Sequence, residues 1–247
     1  MAMALHMIEI CPDIPMMLRF LNTQGFGQGT FDEDMGYGIH AWLQAVFGRL
    51  APKPWRLLAD DRRPPRILGY SAADAATLRQ SLQEFADPLV GAVICDPEND
   101  LRSRPMPKWR VGRCLAFEVK VCPTGRKARG GPEKDVFLIR LENQPNNPLS
   151  RHTIYSRWVQ ERVEQHQAAR VATIHLDAFR LIQQFRQNQA VIAGERERQR
   201  RHLIRPQAVL RGELIVQDPE LFTDLLAHGI GRHRAFGYGM LLLRPPS

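Results

Sequence analysis

The chain has 247 residues, of which 44% are hydrophobic and 24% charged, a composition typical of a globular protein with one large domain or two ordinary ones. No apolar run approaches the roughly 20 residues that a membrane-spanning helix needs, and the first residues lack the pattern of a secretory signal. We therefore expect a cytoplasmic protein with no membrane partner. The formal net charge of +8, supplied mainly by arginine, indicates a polyanionic partner.

The four cysteines stand at positions 11, 95, 114 and 122, and none of them forms a CxxC pair. No histidine cluster completes a zinc-binding pattern either. We therefore expect reduced cysteines in or near a core, no metal site and no cofactor.

The first half of the chain has the order of one β-α-β-β-α-β unit. Its helices are predicted from apolar residues at helical spacing, with Gly48 ending one helix and Ser71 capping the next. The predicted elements are a strand at 7–14, a long loop at 12–33, a helix at about 34–47, hairpin strands at 54–60 and 66–70, a helix at 71–86 and a strand at 89–95.

The second half repeats this order after a proline-rich linker at 96–108. Residues 169–185 fit neither the helical nor the strand period, so both remain open there. The other predicted elements are a strand at 113–122, a basic loop at 123–134, a strand at 136–141, a helix at 149–166, an arginine-rich segment at 187–205, a strand at 209–216, a helix at 218–228 and a strand at 236–243.

This pattern predicts an α+β fold of two tandem ferredoxin-like (RRM-like) domains, at 7–98 and 109–247. A glycine-rich loop precedes the last strand of the second domain. We call residues 229–239 the glycine loop.

The glycine loop places Arg232, His233 and Arg234 between four glycines. Glycine permits positive φ and close backbone approach, and such a loop can turn its N–H groups toward an anion. One interpretation is therefore a phosphate-binding loop, and the other is a mobile turn before an edge strand.

Three segments together resemble a known family. They are Tyr37-Gly38-Ile39-His40, the strand Phe117 to Pro123 followed by Arg126 and Lys127, and the tail from Gly212 through Asp218-Pro219 to the glycine loop. These segments are similar to the RAMP superfamily of CRISPR-associated proteins, and more closely to the CRISPR repeat-processing endoribonucleases of the CasE type. The long loop at 12–33 and the arginine-rich extension at 186–205 depart from that family and suggest a divergent relative, such as the processing subunit of a type IV system.

The resemblance implies a metal-independent endoribonuclease. Such an enzyme cleaves CRISPR precursor RNA within the repeat, near the base of its stem-loop, by attack of a ribose 2′-hydroxyl. It leaves a 5′-hydroxyl and a 2′,3′-cyclic or 3′-phosphate, keeps the mature crRNA bound, and joins the subunits of a CRISPR effector ribonucleoprotein complex.

The resemblance also assigns the catalytic residues. His40 suits a proton-transfer role near neutral pH, and Tyr37 lies one helical turn before it, where it would contact the scissile phosphate. The competing interpretations are that His40 is a helix histidine satisfied by a neighbour, and that His233 carries the catalysis instead of contacting RNA.

RNA recognition is expected through the backbone and the shape of the repeat hairpin, although each of these arginines and lysines could instead be a solvated surface charge. The predicted RNA-binding residues are Arg19, Arg126, Lys127, Arg129, Arg196, Arg198, Arg200, Arg201, Gly229, Gly231, Arg232, His233 and Arg234. Two other functions remain open: a non-catalytic crRNA-binding subunit of an effector complex, and a basic module that binds a nucleotide.

Overall fold

The computed structural model describes residues 4–25, 31–60, 63–126, 131–146, 149–192 and 195–246, without the side chains of 31–34 and 184–203. Two four-stranded antiparallel sheets organise this part of the chain, each covered by helices. No helix in these ranges is both long enough and apolar enough to span a membrane.

The first sheet has the strand order β2-β3-β1-β4, which is the ferredoxin-like order predicted from the sequence. Ile8 in the central strand lies opposite Gly69 on one side and Ser103 on the other. The elements of this unit are β1 His6–Ile10, α1 Ile14–Thr23, α2 Phe31–Phe47, β2 Trp55–Asp60, β3 Arg63–Ser71, α3 Ala75–Phe85, α4 Pro88–Gly91, α5 Pro97–Asp100 and β4 Leu101–Pro105.

The loop predicted at 12–33 is wrong over most of its described part, because residues 14–23 form helix α1. Asp13 caps this helix, with its Oδ1 accepting a hydrogen bond from the Met16 N–H at 2.8 Å. Pro15 lies in the first turn, where a missing N–H costs nothing, so it does not interrupt the helix. The first strand consequently ends at Ile10 and not at residue 14.

Two further predictions in the first unit are wrong. Asp74, not Ser71, caps α3, because its Oδ1 accepts from the Thr77 N–H at 2.9 Å while Ser71 still belongs to β3. Residues 89–95 are not a strand, since α4 begins there and Val93 and Ile94 are buried in the core instead. The fourth strand is β4, inside the predicted linker, and we therefore propose that the first domain extends to Pro105.

The second sheet has the order β10-β5-β9-β8, again ferredoxin-like. Strands β8 and β9 form a long antiparallel pair that includes the arginine-rich segment. The elements are β5 Cys114–Val121, β6 Thr124–Gly125, β7 Lys134–Asp135, α6 Val136–Asn143, α7 Arg151–Glu164, β8 Ala169–Ile192, β9 Glu195–Val216, α8 Pro219–His228 and β10 Leu241–Arg244.

The open question at 169–185 is resolved as strand. The pairing of β8 with β9 shifts between Val171 and Thr173 and again between Leu176 and Ala178. Each bulge inserts an extra residue, so the side chains that face one side no longer recur at every second position. This irregularity explains why neither period fitted the sequence.

The strand predicted at 136–141 is wrong, because these residues form helix α6. Asp135 caps the helix by accepting from the Phe137 N–H at 2.8 Å, and the same carboxylate accepts from the buried Tyr155 hydroxyl and from Arg151. The last strand also begins later than predicted, at Leu241 and not at residue 236.

The two units share a packed and hydrogen-bonded contact. Tyr70 of β3 is buried in the core of the second unit, and its hydroxyl donates to the Leu241 carbonyl at 2.9 Å. Arg56 of β2 reaches Glu118 of β5 with 2.6 Å between Nη2 and Oε1, and the two side chains are only 11% and 7% exposed. The position of β2 is therefore fixed relative to the second sheet.

Glu118 is the buried carboxylate of this contact. Its Oε2 also meets Arg211 at 2.8 Å and Arg244 at 3.5 Å. Burial raises the pKa of Glu118, but the charges and hydrogen bonds of Arg56 and Arg211 outweigh burial, so the pKa is lowered overall.

We expect Glu118→Gln to reduce the free energy of unfolding by about 3 kcal/mol near neutral pH, because Arg56 stays buried without a counter-charge. The lowered pKa means that this contribution is present above the unfolded pKa of 4.5 and is lost as the pH falls through the folded pKa. Urea denaturation of both proteins at neutral and acidic pH measures the difference, which should narrow in acid.

Glu161→Gln is the matched control, because Glu161 pairs with Arg157 on the exposed face of α7. Its effect should stay below about 0.5 kcal/mol. Equal stability of the two variants at neutral pH would contradict a stabilising role for the Glu118 cluster.

Candidate functional site

Helix α2 and the glycine loop meet at Phe236. The Tyr37 ring stacks on the Phe236 ring, with 5.6 Å between centroids and an interplanar angle of 13°, and the His40 ring meets it edge-on at 5.3 Å. A Cβ at Gly36 would lie 2.8 Å from the Phe236 carbonyl oxygen, so the helix approaches the loop backbone closely. The two predicted catalytic residues are thus in direct contact with the loop predicted to bind RNA.

The four glycines of the loop all have positive φ, between 63° and 83°. Gly231 lies against the Trp158 ring, where a Cβ would come within 2.6 Å, and Gly237 lies against the Trp55 ring, where a Cβ would come within 3.0 Å. A Cβ at Gly231 would collide with the Trp158 ring, one at Gly237 would fit only if the Trp55 ring gave way slightly, and both would strain the backbone. The loop is therefore packed between the two units, which argues against an unconstrained turn.

Several loop N–H groups already have partners in the protein. Gly229 donates to Leu225 at 2.8 Å, Ile230 to Gly239 at 2.9 Å and Gly239 to Lys120 at 2.8 Å. From β2, the Trp55 indole N–H donates to the Ala235 carbonyl at 2.8 Å. Those three loop N–H groups are not available to an anion, so a phosphate would have to be bound mainly by the basic side chains.

The basic side chains converge on Glu133, which lies just before β7. Arg232 Nη1 is 2.7 Å from Oε1, His233 Nε2 is 2.9 Å from Oε2, and Arg126 Nη2 is 3.8 Å from Oε1. Three of the predicted RNA-binding residues are thus brought together by one carboxylate. Arg205 of β9 joins them, with Nη2 at 3.1 Å from Oε2.

The remaining predicted residues are distributed over other parts of the chain. Arg234 donates to the His228 carbonyl at 2.7 Å, at the end of α8, and Arg19 is exposed on α1. The other predictions lie outside the described residues or side chains. Lys127 and Arg129 lie outside the described residues. The backbone of Arg196, Arg198, Arg200 and Arg201 lies on β9, but their side chains are outside the described part of the structure.

The two histidines near Phe236 have lowered pKa values. Burial lowers the pKa of His40, and the positive charge of Lys53 lowers it further. Burial also lowers the pKa of His233, outweighing the opposite effect of Glu133. Both imidazoles are therefore predominantly neutral at pH 7, the state in which a histidine can accept a proton.

Sequence reasoning missed Lys53, Glu133 and Phe236. Lys53 acts on His40 through the fold, from the segment before β2, and no spacing in the sequence connects the two. Glu133 carried one weak signal, as an acidic residue beside the basic loop at 123–134. Phe236 was read only as the start of a strand.

The Phe236 ring contacts a tyrosine and two neutral histidines, and one of these, His233, also contacts Glu133, which holds several guanidinium groups. Together these groups can accept a proton, donate hydrogen bonds and stabilise an anion. Within the described residues, no three histidine, cysteine or acidic side chains are grouped so that they could hold a metal ion.

Comparison with known proteins gives one family and several structures. The family described as CRISPR associated protein matches residues 20–245. In a comparison with curated proteins, no sequence matches.

The similar solved structures are CRISPR proteins of low sequence identity. The CRISPR endoribonuclease Cse3 bound to a 19-nucleotide RNA has a TM-score of 0.63 and 17% identity, with 98% of this chain and 100% of that chain covered. Cse3 from Thermus thermophilus, bound to an RNA representing a pre-cleavage complex, has a TM-score of 0.62 and 17% identity, and the match covers 98% of this chain and 100% of that chain. Cas6e from Escherichia coli strain K-12 has a TM-score of 0.52 and 16% identity, and the match covers 99% of this chain and 100% of that chain. These likenesses confirm the tandem ferredoxin-like fold.

We expect Lys53→Met to raise the pKa of His40 toward 6.5, because the substitution removes a positive charge that disfavours the imidazolium. NMR titration of the His40 imidazole measures the shift directly. Lys108→Met, which removes an exposed lysine that has no part in lowering this pKa, is the control and should leave the titration unchanged. Identical titrations in both variants would show that burial alone sets the pKa of His40.

Proposed function

The chain belongs to the CRISPR-associated protein family, and on this premise we propose that it is an endoribonuclease that cleaves CRISPR precursor RNA within the repeat. The observation that carries the proposal is the contact of Tyr37 and His40 with Phe236 of the glycine loop. This contact places a group able to transfer protons beside a loop whose side chains can bind phosphate. Similarity of fold to RNA-bound endoribonucleases supports it.

The proposed reaction is metal-independent transfer of a phosphate to the neighbouring ribose 2′-oxygen. Neutral His40 accepts the proton of the 2′-hydroxyl while this oxygen forms a bond to phosphorus. The bond from phosphorus to the 5′-oxygen breaks, that oxygen takes up a proton from water, and protonated His40 returns its proton to water. The products carry a 2′,3′-cyclic phosphate, which can open to a 3′-phosphate, and a 5′-hydroxyl.

Tyr37 and the arginines complete the proposed chemistry. Tyr37 would contact the scissile phosphate from the same face of α2, and Arg232 would stabilise the negative charge that develops on the phosphate oxygens. The half-exposed side chain of Arg232 retains N–H groups beyond its contact with Glu133.

Backbone recognition of a repeat stem-loop suits the arginine-rich part of β8 and β9. Duplex RNA has a deep, narrow major groove lined by phosphates, and recognition there follows shape more than sequence. We propose that Arg196, Arg198, Arg200 and Arg201 contact these phosphates and that the product crRNA stays bound. One similar fold belongs to a CRISPR RNA-guided surveillance complex, which supports assembly of this chain with effector subunits.

A non-catalytic crRNA-binding subunit is the second candidate. The half-buried state of His40 and its edge-on contact with Phe236 favour it, because a packed histidine needs no catalytic role. Incubation of the protein with labelled repeat RNA in EDTA separates the candidates. Cutting at one position supports the nuclease, binding without cutting supports the subunit, and the absence of both supports a nucleotide-binding module.

We expect His40→Ala to reduce the single-turnover cleavage rate by at least about 100-fold, because it removes the group that accepts the proton. The dissociation constant for repeat RNA should change by less than about threefold, since no charge is lost at neutral pH. His152→Ala, which removes an exposed histidine of α7, is the matched control. Cleavage that persists in His40→Ala at the control rate would remove His40 from the mechanism.

We expect Arg232→Ala to weaken repeat RNA binding and to make its salt dependence shallower by about one unit of slope, because one phosphate contact is lost. Binding isotherms at several salt concentrations measure this slope. Arg157→Ala, at an exposed ion pair of α7, should leave the slope unchanged. The same slope in Arg232→Ala and in wild type would place the glycine loop off the path of the phosphates.

A further inference from the structure

Glu133 binds more positively charged groups than its own charge can neutralise. Its carboxylate contacts Arg126, Arg205, Arg232 and His233 within 4 Å, and its backbone carbonyl accepts from Arg205 Nη1 at 3.4 Å. Glu133 itself is only 11% exposed. Of the four side chains, Arg205 is buried and His233 is half-buried, whereas Arg126 and Arg232 are more than 40% exposed.

The charges of this cluster do not balance. Three guanidinium groups carry three positive charges and the carboxylate carries one negative charge, which leaves an excess of two. His233 adds none at neutral pH, because burial keeps its pKa low. A phosphodiester carries one negative charge, so the cluster can accept an RNA phosphate while Glu133 stays in place.

Replacement of Glu133 by a phosphate is the less favourable arrangement. It would separate Glu133 and Arg205, two buried groups of opposite charge, and breaking a buried pair is much more costly than breaking an exposed one. Binding of a phosphate to the outer N–H groups of Arg126 and Arg232 breaks no buried contact. Guanidinium groups have five donors, so each can keep Glu133 and bind a phosphate as well.

We propose that Glu133 is a positioning residue of the RNA site, which holds Arg232 and Arg126 so that their outer N–H groups meet one backbone phosphate. This inference rests on the proposed function. It gives a buried acidic residue a positive role in binding a polyanion, where simple electrostatics would assign it a negative one.

The contact with His233 extends the influence of Glu133 toward α2. His233 is a non-glycine residue with a φ of 62°, a conformation that needs support from its surroundings. Its Nε2 atom lies 2.9 Å from Glu133, and its carbonyl accepts from the Phe236 N–H at 2.8 Å. Since the imidazole is neutral, the proton lies on Nε2 when it donates to the carboxylate. Glu133 thus also fixes the residue that leads into Phe236.

The decisive variant is Glu133→Gln. A positioning role and a repelling role of Glu133 predict opposite changes in RNA affinity for this variant. Loss of a negative charge should tighten RNA binding if Glu133 merely repels or competes with phosphate. Loss of positioning should weaken it. We expect repeat RNA binding to weaken about tenfold at physiological salt, despite the more positive net charge.

A double-mutant cycle identifies the partner. If Glu133 acts through Arg232, then Arg232→Ala should weaken RNA binding about tenfold in wild type but less than about threefold in the Glu133→Gln background. A merely structural role of Glu133 would leave the two effects additive. Glu142→Gln is the matched control, because it makes the same charge change at an exposed residue paired with Lys134, and it should bind RNA as wild type does.

Two further measurements test the position of the carboxylate and its contact with His233. Glu133→Asp keeps the charge but shortens the side chain, so it should also weaken binding, whereas a competing carboxylate would leave affinity nearly unchanged. In the RNA-free protein, NMR of the His233 imidazole nitrogens should show the Nε2–H tautomer in wild type and in Glu142→Gln, and a larger fraction of the Nδ1–H tautomer in Glu133→Gln, whose uncharged amide favours Nε2–H less strongly.

The outcomes separate this inference from the proposed function. If wild type neither binds nor cuts repeat RNA, the proposed function fails, and the inference about RNA fails with it. If wild type cuts the RNA but Glu133→Gln binds it equally well or more tightly, or the cycle is additive, the inference alone is overturned.

Discussion

The site depends on close packing of the glycine loop between the two ferredoxin-like units. Trp158 from α7 lies on Gly231, where a Cβ would come within 2.6 Å of the ring, and Trp55 from the first sheet lies on Gly237, where a Cβ would come within 3.0 Å. The loop backbone is therefore held from both sides. Phe236 can consequently reach α2, where its ring contacts both Tyr37 and His40. The glycines matter less as flexible points than as positions where two large rings approach the backbone.

Two buried carboxylates organise much of the positive charge around this packing. Glu118 joins Arg56 of the first unit to Arg211 of the second, whereas Glu133 joins the basic loop before β7 to the glycine loop. Each binds at least three cationic groups, so the excess positive charge stays at fixed positions. A chain with a net charge of +8 can in this way present arginines in a defined geometry.

The sequence predicted best those elements whose caps and apolar spacing agree, such as α2, α7 and α8. The prediction failed where a pattern typical of a loop or strand was given more weight than a residue that begins a helix. Residues 14–23 were predicted to be part of a loop although Pro15 fits the first turn of a helix, and the apolar run after Asp135 was predicted to be a strand although that aspartate is a cap. Strand β4 has a single buried residue, Leu101, and so shows no apolar pattern at all. The His40 and Tyr37 assignment came from the family resemblance, and no local pattern could have placed Lys53 or Phe236 beside them.

The residues proposed for RNA binding and those proposed for catalysis were predicted in distant parts of the sequence, yet the fold brings the glycine loop and α2 together at the Phe236 ring. This proximity has an electrostatic consequence. Positive charge that attracts a phosphate also disfavours an imidazolium, and Lys53 acts on His40 in this way. His40 is therefore predominantly neutral at pH 7, which is the state that its proposed role as a proton acceptor needs. In the proposed reaction the bound phosphate offsets part of that positive charge, and the further negative charge of the transition state offsets more. The basicity of His40 then rises as the proton is transferred, so the cations proposed to hold the RNA would not oppose the proposed action of His40.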